Sequence, residues 1–167
     1  MRNDGLIDAT ELRKAVAVIK ADGELFEVRL IGDKGKPLSG YFKDADTLIR
    51  AFDTVDFRNM NAYFTLNYLK DALYSRQQAD KFLAAKSTTQ DTEVIGYKWL
   101  FVDFDPERPS GISSTDEELK KAAELAQKVY VYLKGLGFEE PIKAFSGNGY
   151  HLLYSIQLTN TEENKKL

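Results

Sequence analysis

The sequence predicts an α+β fold in two parts, an N-terminal α/β subdomain over residues 1–92 and a β-α-β-β unit over residues 93–167. Three observations carry this. Alternating runs at 24–31 and 60–67 have the period of half-buried strands. Apolar positions Leu119, Ala122, Ala126, Val129, Leu133 and Leu136 recur at helical spacing. Trp99-Leu100-Phe101-Val102 then runs straight into Asp103-Phe104-Asp105-Pro106, a buried strand that delivers two carboxylates before proline stops it.

In chain order, residues 6–18 read as a short helix with Thr10 as N-cap, and Asp22-Gly23 breaks it. Residues 24–31 and 38–42 read as a hairpin across the turn Gly32-Asp33-Lys34-Gly35-Lys36-Pro37. A helix is expected over 44–52, with Leu48, Ile49 and Phe52 on one face, and a strand over 60–67. Residues 68–85 read as a helix, with Leu69, Leu73, Ala79 and Phe82 inward and Arg76 and Lys81 toward solvent. The polar loop 86–92 is the nearest thing to a domain boundary.

After the aspartate strand comes the loop Glu107-Arg108-Pro109-Ser110-Gly111, and Ser114-Thr115-Asp116-Glu117 opens a helix with a capping-box pattern. Gly137 stops it. Short strands follow at 142–145 and 150–156. A long helix between strands makes the first two strands parallel members of one sheet. Thr159-Asn160-Thr161-Glu162-Glu163 carries two overlapping capping boxes, so a further helix is expected to begin there. Against a ferredoxin-like β-α-β-β-α-β unit, one helix and one strand are wanting, and the chain reads as the N-terminal part of a longer protein.

Composition narrows the chemistry. With 167 residues, 43% of them hydrophobic, the chain is long enough to bury a core. A net charge of -3 argues against a protein that coats nucleic acid over its whole surface. Residues 99–167 hold 11 acidic against 8 basic side chains, which suits a cation ligand. With no cysteine and one histidine, thiolate catalysis, disulfides, zinc-cysteine sites and multi-histidine metal sites are excluded. Oxygen-ligand chemistry with Mg2+ or Mn2+ stays open. No leader-like or membrane-length apolar run occurs, so a soluble cytoplasmic protein with no membrane partner is expected.

Residues two apart in a strand share a face, so Asp103 and Asp105 point together and Val102 and Phe104 point the other way. Two close carboxylates repel, and a divalent cation between them resolves the conflict. The bland alternative is a solvated strand end followed by a turn. Asn148-Gly149 between two short strands signals a type I′ hairpin. With those two as the loop, Gly147 opposes Tyr150, Ser146 opposes His151, and Phe145 opposes Leu152. One face then holds Val102, Phe104, Phe145 and Leu152 against the helix. The open face holds Asp103, Asp105, Ser146 and His151, beside a glycine turn whose N–H groups suit phosphate oxygens. A Ser-His-Asp triad is a poorer reading, because the acids are paired and no oxyanion hole is evident.

Asp-x-Asp at a strand end, a long helix, then Ser146-Gly147-Asn148-Gly149-Tyr150-His151 resembles the archaeo-eukaryotic primase superfamily, nearest to the primase-polymerases of bacterial mobile elements and phages. Tyr63-Phe64-Thr65-Leu66-Asn67 upstream agrees, and the resemblance covers roughly residues 38–157. It implies an RRM-like catalytic sheet and metal-dependent nucleotidyl transfer from nucleoside triphosphates on a DNA template or primer. Asp103 and Asp105 would bind Mg2+ or Mn2+ and act with His151 in catalysis. Ser146, Gly147, Asn148, Gly149, His151 and, more weakly, Arg108 would meet the nucleotide. Arg76 is a weak nucleic-acid contact, with a solvated arginine as the alternative. The family has a third metal-binding aspartate on a later strand, for which this sequence has no match. Relatives join such a domain to a helicase. The rival expectations are a non-catalytic nucleotide- or DNA-binding replication-initiator module of the same fold, and a metal-dependent phosphodiesterase.

Overall fold

A computed structural model describes residues 7–32, 35–109 and 112–166. Its class is α+β, with antiparallel sheets. The chain divides into two compact units, Met1–Tyr97 with Leu158–Leu167, and Lys98–Gln157. The boundary thus falls inside a strand rather than at the polar loop 86–92, and the last residues belong with the first unit.

In the first unit, α1 (Ala9–Ile19) starts at Asp8 rather than Thr10, because the Asp8 carboxylate accepts from the N–H groups of Thr10 and Glu11. The expected start at Leu6 lies outside the described residues. β1 (Phe26–Gly32) and β2 (Leu38–Phe42) form the expected hairpin, with Val28 opposite Gly40. Asp33 and Lys34 of its turn lie outside the described residues. Asp44 caps α2 (Ala45–Phe52), and β3 (Met60–Phe64) pairs with the other edge of β1. β3 stops short of residue 67 because Thr65 turns aside, its hydroxyl accepting from the Glu27 N–H at 3.0 Å.

The helix expected over 68–85 does not form. The segment holds β4 (Tyr68–Leu69), a 3-10 turn over Asp71–Ser75, and β5 (Leu83–Ala84), which completes the sheet order β3-β1-β2-β5. Its apolar residues serve two different faces, which one helical stripe cannot do. Leu69 and Leu73 bury with Leu25 and Tyr41 on one side of the sheet. Phe82 enters the opposite core with Phe26, Phe42, Leu48 and Phe52. Asp80 takes a left-handed φ of 58°, which no helix interior tolerates.

Glu27 is fully buried among donors. Arg29 Nε and Nη2 reach Oε2 at 2.9 and 2.8 Å, the Thr89 N–H donates to Oε2 at 3.0 Å, and Ser39 Oγ donates to Oε1 at 2.6 Å. Burial pushes the carboxyl up, but the donors from Arg29, Ser39 and Thr89 outweigh it and hold it below the ordinary value. Lys20 is buried too, with Nζ donating to Glu24 Oε1 and the Leu66 carbonyl at 3.0 Å each.

In the second unit, 98–104 of β6 (Val94–Phe104), β8 (Tyr150–Thr159) and β7 (Ile142–Phe145) lie in the order β6-β8-β7. The strands that α3 connects therefore run the same way, as expected, but flank β8 instead of touching. α3 (Asp116–Gly135) opens with a full capping box between Thr115 and Glu118. Ala122 and Ala126 are buried against Phe104, Leu152 and Tyr154, with Val129 and Leu133 at the margin. Leu136, expected inward, is exposed. The helix ends before it: Gly137 turns left-handed at φ 90°, and the Phe138 N–H reaches back to the Leu133 carbonyl at 3.1 Å. Phe138 then packs edge-on to Tyr154 in place of Leu136. The expected helix after Thr159 is only a 3-10 turn over Asn164–Lys166. Among the described residues, no helix is long and apolar enough to cross a membrane.

Truncating Glu27 takes the acceptor from Arg29 Nε, the Ser39 hydroxyl and the Thr89 N–H, and leaves Arg29 only the Thr89 carbonyl. Glu27→Ala should cost about 3 kcal/mol or more, read as a lower urea midpoint. Because the folded carboxyl lies below its ordinary 4.5, the network stabilises fully above that pH and weakens as pH falls through the folded value. Glu27→Gln should remove that share of the acid-side decline.

Candidate functional site

The strand alternation of β6 sorts its residues as expected. Leu100, Val102 and Phe104 pack toward α3. Phe101 and Asp103 face the other way, where His151 of β8 meets both: His151 Nε2 lies 3.1 Å from Asp103 Oδ1, and its ring packs edge-on against Phe101 at 5.0 Å between centroids. Asp103 remains about half exposed, its side chain 46% accessible, while that of His151 is 24% accessible. Phe101 belongs to this site and was not anticipated. The alternation alone puts it on the aspartate face, but an apolar residue in a buried strand carries no signal of its own.

The hairpin differs from expectation. β7 and β8 pair with Phe145 opposite Tyr150 and Ala144 opposite His151. The loop is therefore Ser146-Gly147-Asn148-Gly149, two residues longer than a type I′ turn, and Ser146 does not oppose His151. Neither Asn148 nor Gly149 adopts the positive φ that a type I′ turn requires. Gly147 does, at 90°. The reason is the Ser146 hydroxyl. Its Oγ accepts from the N–H groups of Gly149 at 3.0 Å and Asn148 at 3.3 Å, and the Ser146 N–H closes the loop onto the Gly149 carbonyl at 3.0 Å. The slip is even, so each residue keeps its face. Only the opposed pairs change, and Lys143 now faces Leu152. Phe145 loses its place in the core and lies 55% exposed, 5.0 Å from the Tyr150 ring.

These bonds redefine the nucleotide-binding group. The N–H groups of Asn148 and Gly149 point at Ser146 Oγ rather than outward. Asn148 Oδ1 accepts from the Ser114 N–H at 3.0 Å, and Ser114 Oγ donates to the Asn148 carbonyl at 2.7 Å. Gly149 is buried, and the turn closes directly over Asp105: a Cβ at Gly149 would lie 2.7 Å from the Phe104 carbonyl oxygen and would overlap the Asp105 carboxylate. Asp105 itself is exposed, beside an open groove of about 430 Å³ shared with Glu107, Glu118 and Lys121.

Arg108 folds back on its own loop, donating from Nη1 to the Ile112 carbonyl at 2.8 Å, while its Nε is buried without a partner among the described residues. Ser110 and Gly111 of that loop lie outside the described residues. Arg76 is not a free surface cation. It pairs with Glu93 and donates to Tyr41 Oη at 3.1 Å, both within the first unit.

Among the described residues, no group of three His, Asp or Glu side chains converges to hold a metal, and no Lys or Arg pairs with Asp103 or Asp105. Two exposed carboxylates that no Lys or Arg neutralises by a direct pair are a donor set that fits Mg2+ or Mn2+, which commonly take one or two protein carboxylates and complete their shell with water and phosphate oxygens. Comparison with family models, curated proteins and solved structures finds no match for this chain.

The two loop glycines differ in what they would lose. Gly147→Ala should cost about 1 kcal/mol, the strain of a side chain at positive φ. Gly149→Ala should cost about 1–3 kcal/mol, because backbone must move to admit the methyl group. Thermal unfolding of both variants checks this.

Proposed function

We propose that this chain carries nucleotide chemistry at Asp103, Asp105 and His151, as the catalytic domain of a DNA primase or primase-polymerase. The observation behind it is the meeting of His151 Nε2 with Asp103 Oδ1 at 3.1 Å on the face opposite the core, from strands far apart in sequence. A lone histidine beside a solvated acid is common. One that is packed on Phe101 and meets Asp103, two residues before Asp105, supports the reading of a site here. It agrees with the resemblance in residue order and in chemistry.

Asp103 and Asp105 would hold Mg2+ or Mn2+, which supplies charge neutralisation at the triphosphate. His151, beside Asp103, would donate to a phosphate oxygen of a triphosphate held through that cation. Phe101 holds its ring against rotation. In the reaction, a primer or initiating 3′-hydroxyl gives its proton to solvent, its oxygen bonds to the α-phosphorus of a nucleoside triphosphate, the bond from that phosphorus to the bridging oxygen breaks, and pyrophosphate leaves. Ser146 and the N–H groups of Asn148 and Gly149 contribute indirectly, by fixing the turn, since their hydrogen bonds are internal. Arg108 and Arg76 have no part in this reading. A template strand and a helicase remain partners by resemblance.

A second reading is a non-catalytic binding module of the same fold. In it the chain binds nucleotide or DNA in replication without catalysing transfer.

Incorporation of labelled deoxynucleotides or ribonucleotides on single-stranded and primed templates, with Mg2+ or Mn2+, separates the two. Asp103→Asn should reduce incorporation by more than about 100-fold, as expected when several kcal/mol of charge stabilisation are lost. His151→Ala should reduce it about 100-fold. Triphosphate binding with no incorporation would establish the second reading instead.

A further inference from the structure

Ser114 is read from the sequence only as part of a helix start, yet it makes two hydrogen bonds to one residue of the glycine turn. Its N–H donates to Asn148 Oδ1 at 3.0 Å and its hydroxyl donates to the Asn148 carbonyl at 2.7 Å. Both oxygens of Asn148 are thus taken by a single partner. Ser114 is itself held from the other side. The next residue, Thr115, is the N-cap of α3, with its N–H bonded to Glu118 Oε2 at 2.8 Å and its hydroxyl to the same carboxylate oxygen at 2.8 Å. A capped helix start is a rigid anchor, because its first N–H groups are satisfied.

The far side of the turn touches the acids. Gly149 follows Asn148, is buried, and leaves no room for even a methyl group before Asp105 and the Phe104 carbonyl. Two residues later, His151 pairs with Asp103. The contacts form one path: α3 N-cap, Ser114, Asn148, Gly149, Asp105. Asp105 lies one residue past the end of β6, and the turn packs directly against it.

We infer that Ser114 and Asn148 form a latch that positions the Asp105 carboxylate for a divalent cation shared with Asp103. This rests on the proposal that Asp103 and Asp105 are cation ligands. It assigns Asn148 a different task from phosphate contact, and gives Ser114 a role. Both act through Gly149 and Asp105 and touch neither nucleotide nor metal.

The test is Mn2+ titration of the full chain, read by paramagnetic broadening of the backbone amides of Asp103, Asp105 and His151 in 15N-labelled protein, with thermal unfolding alongside. Ser114→Ala and Asn148→Ala should each weaken Mn2+ binding about 10-fold, the lower end of what outer-shell ligand support contributes. Ser114→Thr keeps both donors and should bind as wild type. Wild-type Mn2+ affinity in Ser114→Ala and Asn148→Ala overturns the latch, even if their unfolding temperatures fall, because a merely structural contact would lower stability alone. Should Asn148→Ala not fold, Ser114→Ala decides the matter, since it removes a single hydroxyl. If wild-type protein shows no Mn2+ broadening at these residues, the cation-site proposal fails and the latch role falls with it. That outcome is distinguishable, because it appears before any variant is made.

Discussion

The site depends on the burial of Phe104 and Leu152 against Ala122 and Ala126 of α3. Small residues on the helix let it lie close to the strands, and large ones on the strands fill the gap, the arrangement dense cores require. In a strand, neighbours point to opposite faces. Once Phe104 is inside, Asp103 is outside. Once Leu152 is inside, so is His151 turned out. The acid and the imidazole therefore meet because two apolar residues beside them are held elsewhere. Burial of each is worth roughly 1.5–3 kcal/mol, well above what a half-exposed His-Asp contact contributes. Packing selects the geometry, and the polar pair occupies it.

The same reasoning explains what was legible in the sequence. Face assignment was, because it depends only on parity and on where apolar residues lie. Val102, Phe104 and Leu152 went to the helix side and Asp103 and His151 to the other. β2 and α2 were also plain, one as the return strand of a hairpin and the other by Leu48, Ile49 and Phe52 on one face. The hairpin register was not. Asn-Gly is a strong local signal, but the Ser146 hydroxyl offered the loop N–H groups a better acceptor, and the burial of Gly149 on Asp105 is a long-range contact that no dipeptide preference reports. The tie of Ser114 to Asn148 was invisible for the same reason: the partner is distant in sequence. The 68–85 segment misled because helical spacing was read as one buried stripe, when Leu73 and Phe82 serve opposite faces of a sheet.

Buried polar groups tell a parallel story in the first unit. Glu27 and Lys20 sit where apolar residues would be expected, and each is tolerated because several donors or acceptors converge on it. Arg76 is similar, with its guanidinium committed to Glu93 and Tyr41. Charges that look free in the sequence are parts of the framework. The groups that stay solvated, Asp103 and Asp105, stand out more clearly for that.

Thr89 closes the account of the polar loop. By composition, residues 86–92 look like a hinge or a place for a protease to cut. In the fold the Thr89 N–H binds Glu27, its carbonyl accepts from Arg29 at 3.0 Å, and its hydroxyl meets that of Tyr41 at 3.1 Å. A protease must draw several consecutive residues into an extended form to cleave them, and here the middle of the stretch is fastened on three sides. Nicking at this loop would report the opening of the Glu27 cluster, making local digestion a gauge of that buried charge.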